Sequence, residues 1–161
     1  MADSREGAAP GSTRPGDPTP GNAAPAVIVH GLGQAQAAVR AADLARGLVL
    51  LSAPGAGLFA GAGWFAALAR AAAADRPGLG VSAVLDCADA PGAVLAGLRA
   101  GIADLVFTGE ATIAERLAAI VAEGGARLLR AAPESLDLAE FQSDSAFWRR
   151  RLSAWLGPPA G

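Results

Sequence analysis

Apolar residues along this chain come in short unbroken runs, and between the runs they recur at helical spacing. The first run, Ala26-Val27-Ile28-Val29, ends on His30; Gly31-Leu32-Gly33 follows, then a helical pattern from Gln34 to about Ala45. Leu48-Val49-Leu50-Leu51-Ser52 predicts a second strand. A Gly-rich loop comes next, and Trp64, Phe65, Leu68 and Ala72 mark a helix. Val81 to Asp86 predicts a third strand before a helix from Pro91 to Ala100, and Asp104 to Thr108 a fourth before a helix from Ala111 to Glu123. Arg127-Leu128-Leu129-Arg130 reads as a short fifth strand. Strands without polar alternation are buried on both faces, and strands separated by helices run parallel. The pattern therefore predicts an α/β fold of parallel βαβ units.

Both ends depart from this pattern. Residues 1–25 hold five of the eleven prolines and no bulky apolar side chain beyond Met1, so they cannot bury enough surface to offset their ordering entropy. A disordered Pro/Gly-rich tail is expected there. At the other end Ser143-Asp144-Ser145 opens a helix on which Trp148, Leu152, Trp155 and Leu156 share one face. That helix either docks on the sheet domain or, because two of the three tryptophans sit in it, offers a surface to a partner. The predicted organisation is thus a tail (1–25), an α/β domain (26–132), and a C-terminal amphipathic helix and tail (133–161).

Composition narrows the chemistry. All 13 basic residues are arginine, and the chain has one histidine, His30, and one cysteine, Cys87. Without lysine there is no Schiff-base chemistry, no pyridoxal-phosphate attachment and no P-loop lysine. One His and one Cys exclude zinc fingers, disulfides within the chain and CxxC redox pairs. A net charge of −2 gives no footprint for nucleic acid. No apolar run approaches the roughly 20 residues of a membrane helix. No basic start followed by an apolar stretch marks a secretory signal. A cytoplasmic protein, with neither nucleic acid nor membrane as partner, is the expectation.

Two glycine motifs suggest nucleotide binding only weakly. Gly57-x-x-x-Gly61-x-Gly63 precedes a strand ending in Asp86, but 21 glycines in 161 residues produce such spacings by chance. In Gly31-x-Gly33, Gln36 stands where a third glycine belongs. More informative are the carboxyl ends of the strands, where parallel α/β folds place their chemistry. There lie His30, Ser52, Asp86-Cys87, and Thr108 with Glu110, and Asp89 follows closely. Imidazole and thiolate are zinc ligands and carboxylates can complete a shell. Against that, a lone cysteine is commonly a small buried hydrophobe.

Four stretches in register resemble class II, metal-dependent fructose-bisphosphate and related ketose-bisphosphate aldolases. Gln34-Ala35-Gln36-Ala37-Ala38-Val39 resembles the start of that family's first helix, and Gly55-Ala56-Gly57-Leu58-Phe59-Ala60-Gly61 its Gly-Ala-x-x-Tyr-Ala-Gly segment. Val84-Leu85-Asp86-Cys87-Ala88-Asp89 occupies the place of its Leu-Asp-His-Gly motif. Residues 96–109 parallel its helix and strand ending Met-Ile-Asp-Gly. The resemblance covers about residues 27–130 and implies half of a TIM-type (β/α) barrel. It gives Asp86 the proton-transfer role, and places Cys87, with His30, where zinc or another divalent metal is held. Ser52, Gly55, Thr108 and Glu110 fall on the ligand-binding loops.

The departures from the family are chemical. Cys87 replaces the family's metal-binding histidine, Thr108 stands in place of Asp and Glu110 in place of Ser. A complete barrel takes roughly 250 residues, whereas 26–132 supplies 107. An open half-barrel leaves sheet edges and an apolar interior exposed, which is unfavourable. A homo-oligomer, or the C-terminal helix lying over the open side, would remedy this. The expected function is an aldolase-like half-barrel without aldolase activity that binds a small sugar or sugar-phosphate. The alternatives are a metal-dependent aldehyde-lyase working as an oligomer, with Asp86 as acid/base, and a non-catalytic interaction module.

Overall fold

A computed structural model describes residues 24–157. Residues 1–23, nearly all of the stretch expected to be a disordered tail, lie outside the described residues. Strand β1 (Ala26–Val29) leads to helix α1 (Leu32–Ala41), and β2 (Leu48–Ser52) to the single turn α2 (Ala56–Phe59) and then α3 (Ala62–Ala74). Next come β3 (Val81–Asp86), α4 (Pro91–Arg99), β4 (Asp104–Val106) and α5 (Ala111–Glu123). The chain ends with β5 (Arg127–Leu129), β6 (Ser135–Asp137) and α6 (Ala146–Leu156).

Local chemistry explains the boundaries. Pro91 opens α4, where its missing N–H costs nothing. The Ser145 hydroxyl caps α6 by accepting from the Trp148 N–H at 3.5 Å. α1 ends four residues before the pattern predicted, because the Asp43 carboxylate accepts from the N–H groups of Ala45 and Arg46 and turns the chain. The Gly-rich loop expected after β2 contains the extra turn α2, set between Gly55 and Gly61, both at positive φ. No helix among the described residues is long and apolar enough to cross a membrane.

The six strands form one parallel sheet in the order β5-β4-β3-β2-β1-β6. Strands β1 to β5 are laid down consecutively, so right-handed crossovers put their helices on one face. Side chains of that face (Val27, Val29, Leu48, Leu50, Leu85, Leu105 and Leu136) join buried residues of α1, α3, α4, α5 and α6 in one core. The other face carries a second cluster, made only of strand residues: Leu51, Val84 and Val106, with Ile28, Val49 and Leu129 against them. No helix among the described residues contributes to this cluster, yet Leu51, Val84 and Val106 are at most 3% exposed.

The connection from β5 to β6 accounts for that burial. The two strands lie at opposite edges, and residues 130–134 alone join them. Across a flat sheet the ends would stand about 24 Å apart sideways, from five spacings of about 4.8 Å. Register adds about 13 Å, because Leu129 is level with Asp86 whereas Ser135 is level with Ser82. The six Cα steps from Leu129 to Ser135 reach only about 21 Å. The sheet therefore curls, bringing β5 and β6 toward each other and folding its inner face onto itself. Arg127 and Asp104, on that inner face, form an ion pair with Nε–Oδ1 at 2.6 Å and Nη2–Oδ2 at 3.1 Å.

Two expectations about the open side change. β6, which sequence pattern did not predict, adds a sixth strand beside β1 and carries the sheet across the expected boundary at 132. The C-terminal helix lies on the outer, helix-bearing side, where Leu152 and Leu156 enter the main core. Trp155 Nε1 donates to the Ala26 carbonyl at 2.8 Å, and Arg46 Nη1 to the Leu156 carbonyl at 2.6 Å. Burial of the inner face within the chain removes one of the two reasons for expecting a second copy, while β5 and β6 remain edge strands among the described residues.

If α6 is a structural layer, Leu152→Ala should destabilise the protein by about 2–4 kcal/mol in urea unfolding, as for a buried leucine. A loss below about 0.5 kcal/mol would mean that the helix is not part of the core.

Candidate functional site at the carboxyl ends of the strands

Strand parity decides which of the sequence candidates meet. Ile28 and Val84 point to the inner face, so His30 and Asp86, each two residues on, belong to the same side of the sheet. Cys87 follows the parity of Leu85 and is fully buried in the main, helix-side core. His30 and Cys87, paired by the resemblance as metal ligands, are therefore on opposite faces of the sheet. The Cys87 pKa is pushed from the ordinary 9.0 to about 12, first by burial and then by the neighbouring Asp86 carboxylate. At neutral pH the group is a protonated thiol, its Sγ 3.7 Å from the Leu85 carbonyl, and it presents no thiolate to a metal. Among the described residues no three His, Cys, Asp or Glu side chains are grouped to hold a metal ion. The residues present do not fit the metal that the resemblance implies.

His30 instead has a partner that sequence reasoning missed. Its Nε2 lies 2.7 Å from Asp137 Oδ1, which also accepts from the Ala139 N–H at 2.8 Å. The bond ties the end of β1 to the end of β6. The His30 main-chain N–H donates to Gln34 Oε1 at 2.7 Å, so the first turn of α1 fixes the residue from behind. In the neutral ring Nε2 carries the proton toward the carboxylate, which leaves Nδ1 as an acceptor. Side-chain exposures of 34% for His30 and 51% for Asp137 keep the pair open to solvent.

Asp86 is the hinge of a second network. Its Oδ1 accepts from the N–H groups of Gly55 at 3.0 Å and Ala88 at 2.9 Å, and its own N–H donates to Ser52 Oγ at 2.9 Å. The Ser52 hydroxyl donates in turn to the Ala53 carbonyl at 3.1 Å. Ser52 is only 1% exposed and its hydroxyl is used inside the protein, so this expected ligand contact serves the loops instead. Gly55 acts through its main chain, with φ of 70°. Ala88, the one non-glycine residue at positive φ among the described residues, links onward by accepting from the Thr108 N–H at 2.8 Å. The ends of β2, β3 and β4 are thereby stitched into one platform. Asp86 Oδ2 accepts no hydrogen bond from the described residues and is the free edge of that platform.

Thr108 and Glu110 lie on the loop after β4, both exposed. The Glu110 carboxylate accepts from the Thr112 hydroxyl at the start of α5. Arg130 bonds the Gly109 carbonyl at 2.6 Å and lies 5.6 Å from the Phe107 ring centroid, which holds its guanidinium at the same rim. Asp86, Asp89, Glu110 and Asp137 thus lie with His30 and Arg130 at the carboxyl ends of the strands or on the loops that follow them. His30 and Asp86 stand in one register row, two strands and so about 10 Å apart.

Comparison of the chain with family models, with curated proteins and with solved structures found no match.

Two outcomes follow from these bonds. Cys87 should resist thiol reagents in the native state and react only as the chain unfolds. The unfolded chain ionises above pH 9 and the folded chain does not, so this residue's stabilisation is complete below that pH. It should be lost as pH rises from 9 to about 12. Cys87→Ala should remove that part of the alkaline slope. Asp86→Ala should lower stability by about 1–3 kcal/mol by stranding two N–H groups, whereas Asp86→Asn, which keeps an oxygen acceptor, should lose less than half as much. Equal losses in thermal or urea unfolding would remove Asp86 from the centre of the network.

Proposed function

We propose that this chain is a reduced, aldolase-like (β/α) barrel protein that binds a small hydroxyl-rich molecule at the carboxyl ends of its strands and does not cleave it by a metal-dependent aldol reaction. The observation that carries the reading is the pairing of His30 with Asp137 on the same side of the sheet as Asp86, while Cys87 lies in the opposite core. Consecutive parallel strands, a curled sheet and helices on one face favour a barrel-type ancestry over a doubly wound fold, in which helices cover both faces.

The chemistry of the mouth favours a sugar. The His30 Nδ1 acceptor and the free Asp86 Oδ2 both accept from hydroxyl groups, and Thr108 offers a hydroxyl of its own. Lying two strands apart, His30 and Asp86 leave room between them for one or two sugar rings with a bridging water. Four carboxylates against one arginine and one histidine disfavour a phosphate dianion, so an uncharged sugar fits better than a sugar-phosphate. For Asp86 the reading keeps a ligand contact and gives up the acid/base role, because no metal site adjoins it to polarise a carbonyl.

Ligand-observed NMR with a panel of neutral sugars and their phosphates tests this directly. Saturable binding of a neutral sugar, weakened at least about fivefold in His30→Gln and Asp137→Asn, is expected; no binding by any member would refute it. Fructose bisphosphate should not be cleaved with or without added zinc. Zinc-dependent turnover abolished by Cys87→Ser would restore the lyase alternative.

A further inference from the structure

A cleft of about 350 Å³ opens at the other end of the sheet, on its helix-bearing side. One wall is α3, which presents Ala66, Ala69, Arg70 and Ala73; these positions follow the i, i+3, i+4, i+7 spacing of a single helix face. The floor is the start of β3, Val81 to Ala83, and the far wall is the turn between α4 and β4, with Ala100, Gly101, Ile102 and Ala103. Nearly every lining side chain is small and apolar. The helix stands off from the turn because alanines do not reach across the space between them. An apolar lining of this kind favours contact with an apolar ligand over contact with water. Its volume lies at the lower end of the range for small-molecule sites, about 300–1,000 Å³.

Arg70 supplies a second and independent feature. Several arginines of the described residues are engaged: Arg40 with Asp75, Arg46 with the Leu156 carbonyl, Arg76 with three carbonyls at the end of α1, and Arg130 with Gly109. Arg70 has neither a hydrogen bond nor an ion pair among the described residues, and no acidic side chain lines the cleft. Arg99, likewise unpaired, adjoins the lining at Ala100. A guanidinium at the lip of an apolar hollow, with no counter-ion among the described residues, is complementary to a molecule with an aliphatic body and an anionic head.

We propose that this cleft is a binding site for a medium-chain aliphatic carboxylate, its chain lying along Ala66, Ala69, Ala73, Val81, Ala83 and Ile102 and its carboxylate paired with Arg70. The site is separate from the mouth at the strands' carboxyl ends and does not depend on the sugar reading. The apolar lining of the cleft disfavours polar sugars. Affinity should rise by about fourfold for each methylene buried, until the chain outgrows the hollow.

Titration of isotope-labelled full-length protein with hexanoate, octanoate and octanol, followed by amide NMR shifts, tests the assignment. Expected are saturable shifts confined to residues around 66–73, 81–83 and 100–103, with octanoate tighter than hexanoate by about fifteenfold when both added methylenes are buried. Arg70→Gln, at an exposed position, should weaken octanoate at least about fivefold and leave octanol unchanged. Ala73→Leu, which fills a half-buried position in the cleft, should abolish both. Scattered or non-saturable shifts, equal binding of acid and alcohol, or an unaltered Arg70→Gln would overturn the proposal. So would shifts of the same residues with protein concentration alone, since a second copy would then be the occupant.

Discussion

The reach of residues 130–134 is the constraint on which the rest of this structure depends. Too short to cross a flat six-stranded sheet, the connection requires curvature, and curvature lets a parallel sheet with helices on only one side avoid exposing its second apolar face. The inner cluster of Leu51, Val84 and Val106 is a consequence of that closure. So is the meeting of strand ends: β6 lies beside β1, and His30 comes within hydrogen-bonding reach of Asp137. A longer connection, or a helix between β5 and β6, would remove the requirement for curvature. The chain would then need another layer over its inner face.

The site follows from the same geometry by parity. In a strand one residue's shift reverses the face a side chain takes, so Asp86 and Cys87, adjacent in sequence, are committed to opposite environments. Asp86 organises loops at the solvent edge, while Cys87 is a small hydrophobe in the core with a thiol that holds its proton. An aldolase-type metal route needs ligands on one side of the sheet, and the one cysteine is on the other. What remains at the mouth is a set of hydrogen-bonding groups held by their own neighbours: Gln34 behind His30, Gly55 and Ala88 on Asp86, Arg130 on Gly109.

Much of this was legible in the residues themselves. The unbroken runs at β1 to β4 and the helix at Ala111 to Glu123 gave their positions to within a residue or two, because parallel strands buried on both faces and amphipathic helices have strong periodic signals. β6 was not legible. Ser135-Leu136-Asp137 has a single apolar side chain and lies at an edge, so nothing in its own sequence distinguishes it from a loop, and its partner β1 is more than a hundred residues away. Asp137 was hidden with it. Gln34 was visible only as the opening of a helix, although its reach back to His30 is of the kind that fixes helix entry. For Cys87 the parity was available from Leu85, and it favours the buried hydrophobe over the metal ligand that the family resemblance implies. The curl was written in chain length between two strands, one of which could not be seen.

The bond from the Trp155 indole to the Ala26 carbonyl has a temporal meaning. It joins positions 129 residues apart, the opening residue of β1 and the last turn of α6. β1 is also an interior strand whose second neighbour, β6, comes late in the chain. During synthesis, which runs from amino to carboxyl end, β1 can pair with β2 long before its other edge is filled. Until β6 emerges, β1 presents an open parallel edge. Such late long-range closure makes for slow folding and a period of vulnerability to wrong pairing, and it leaves the surroundings of β1 to be completed by β6 and α6, more than a hundred residues further along.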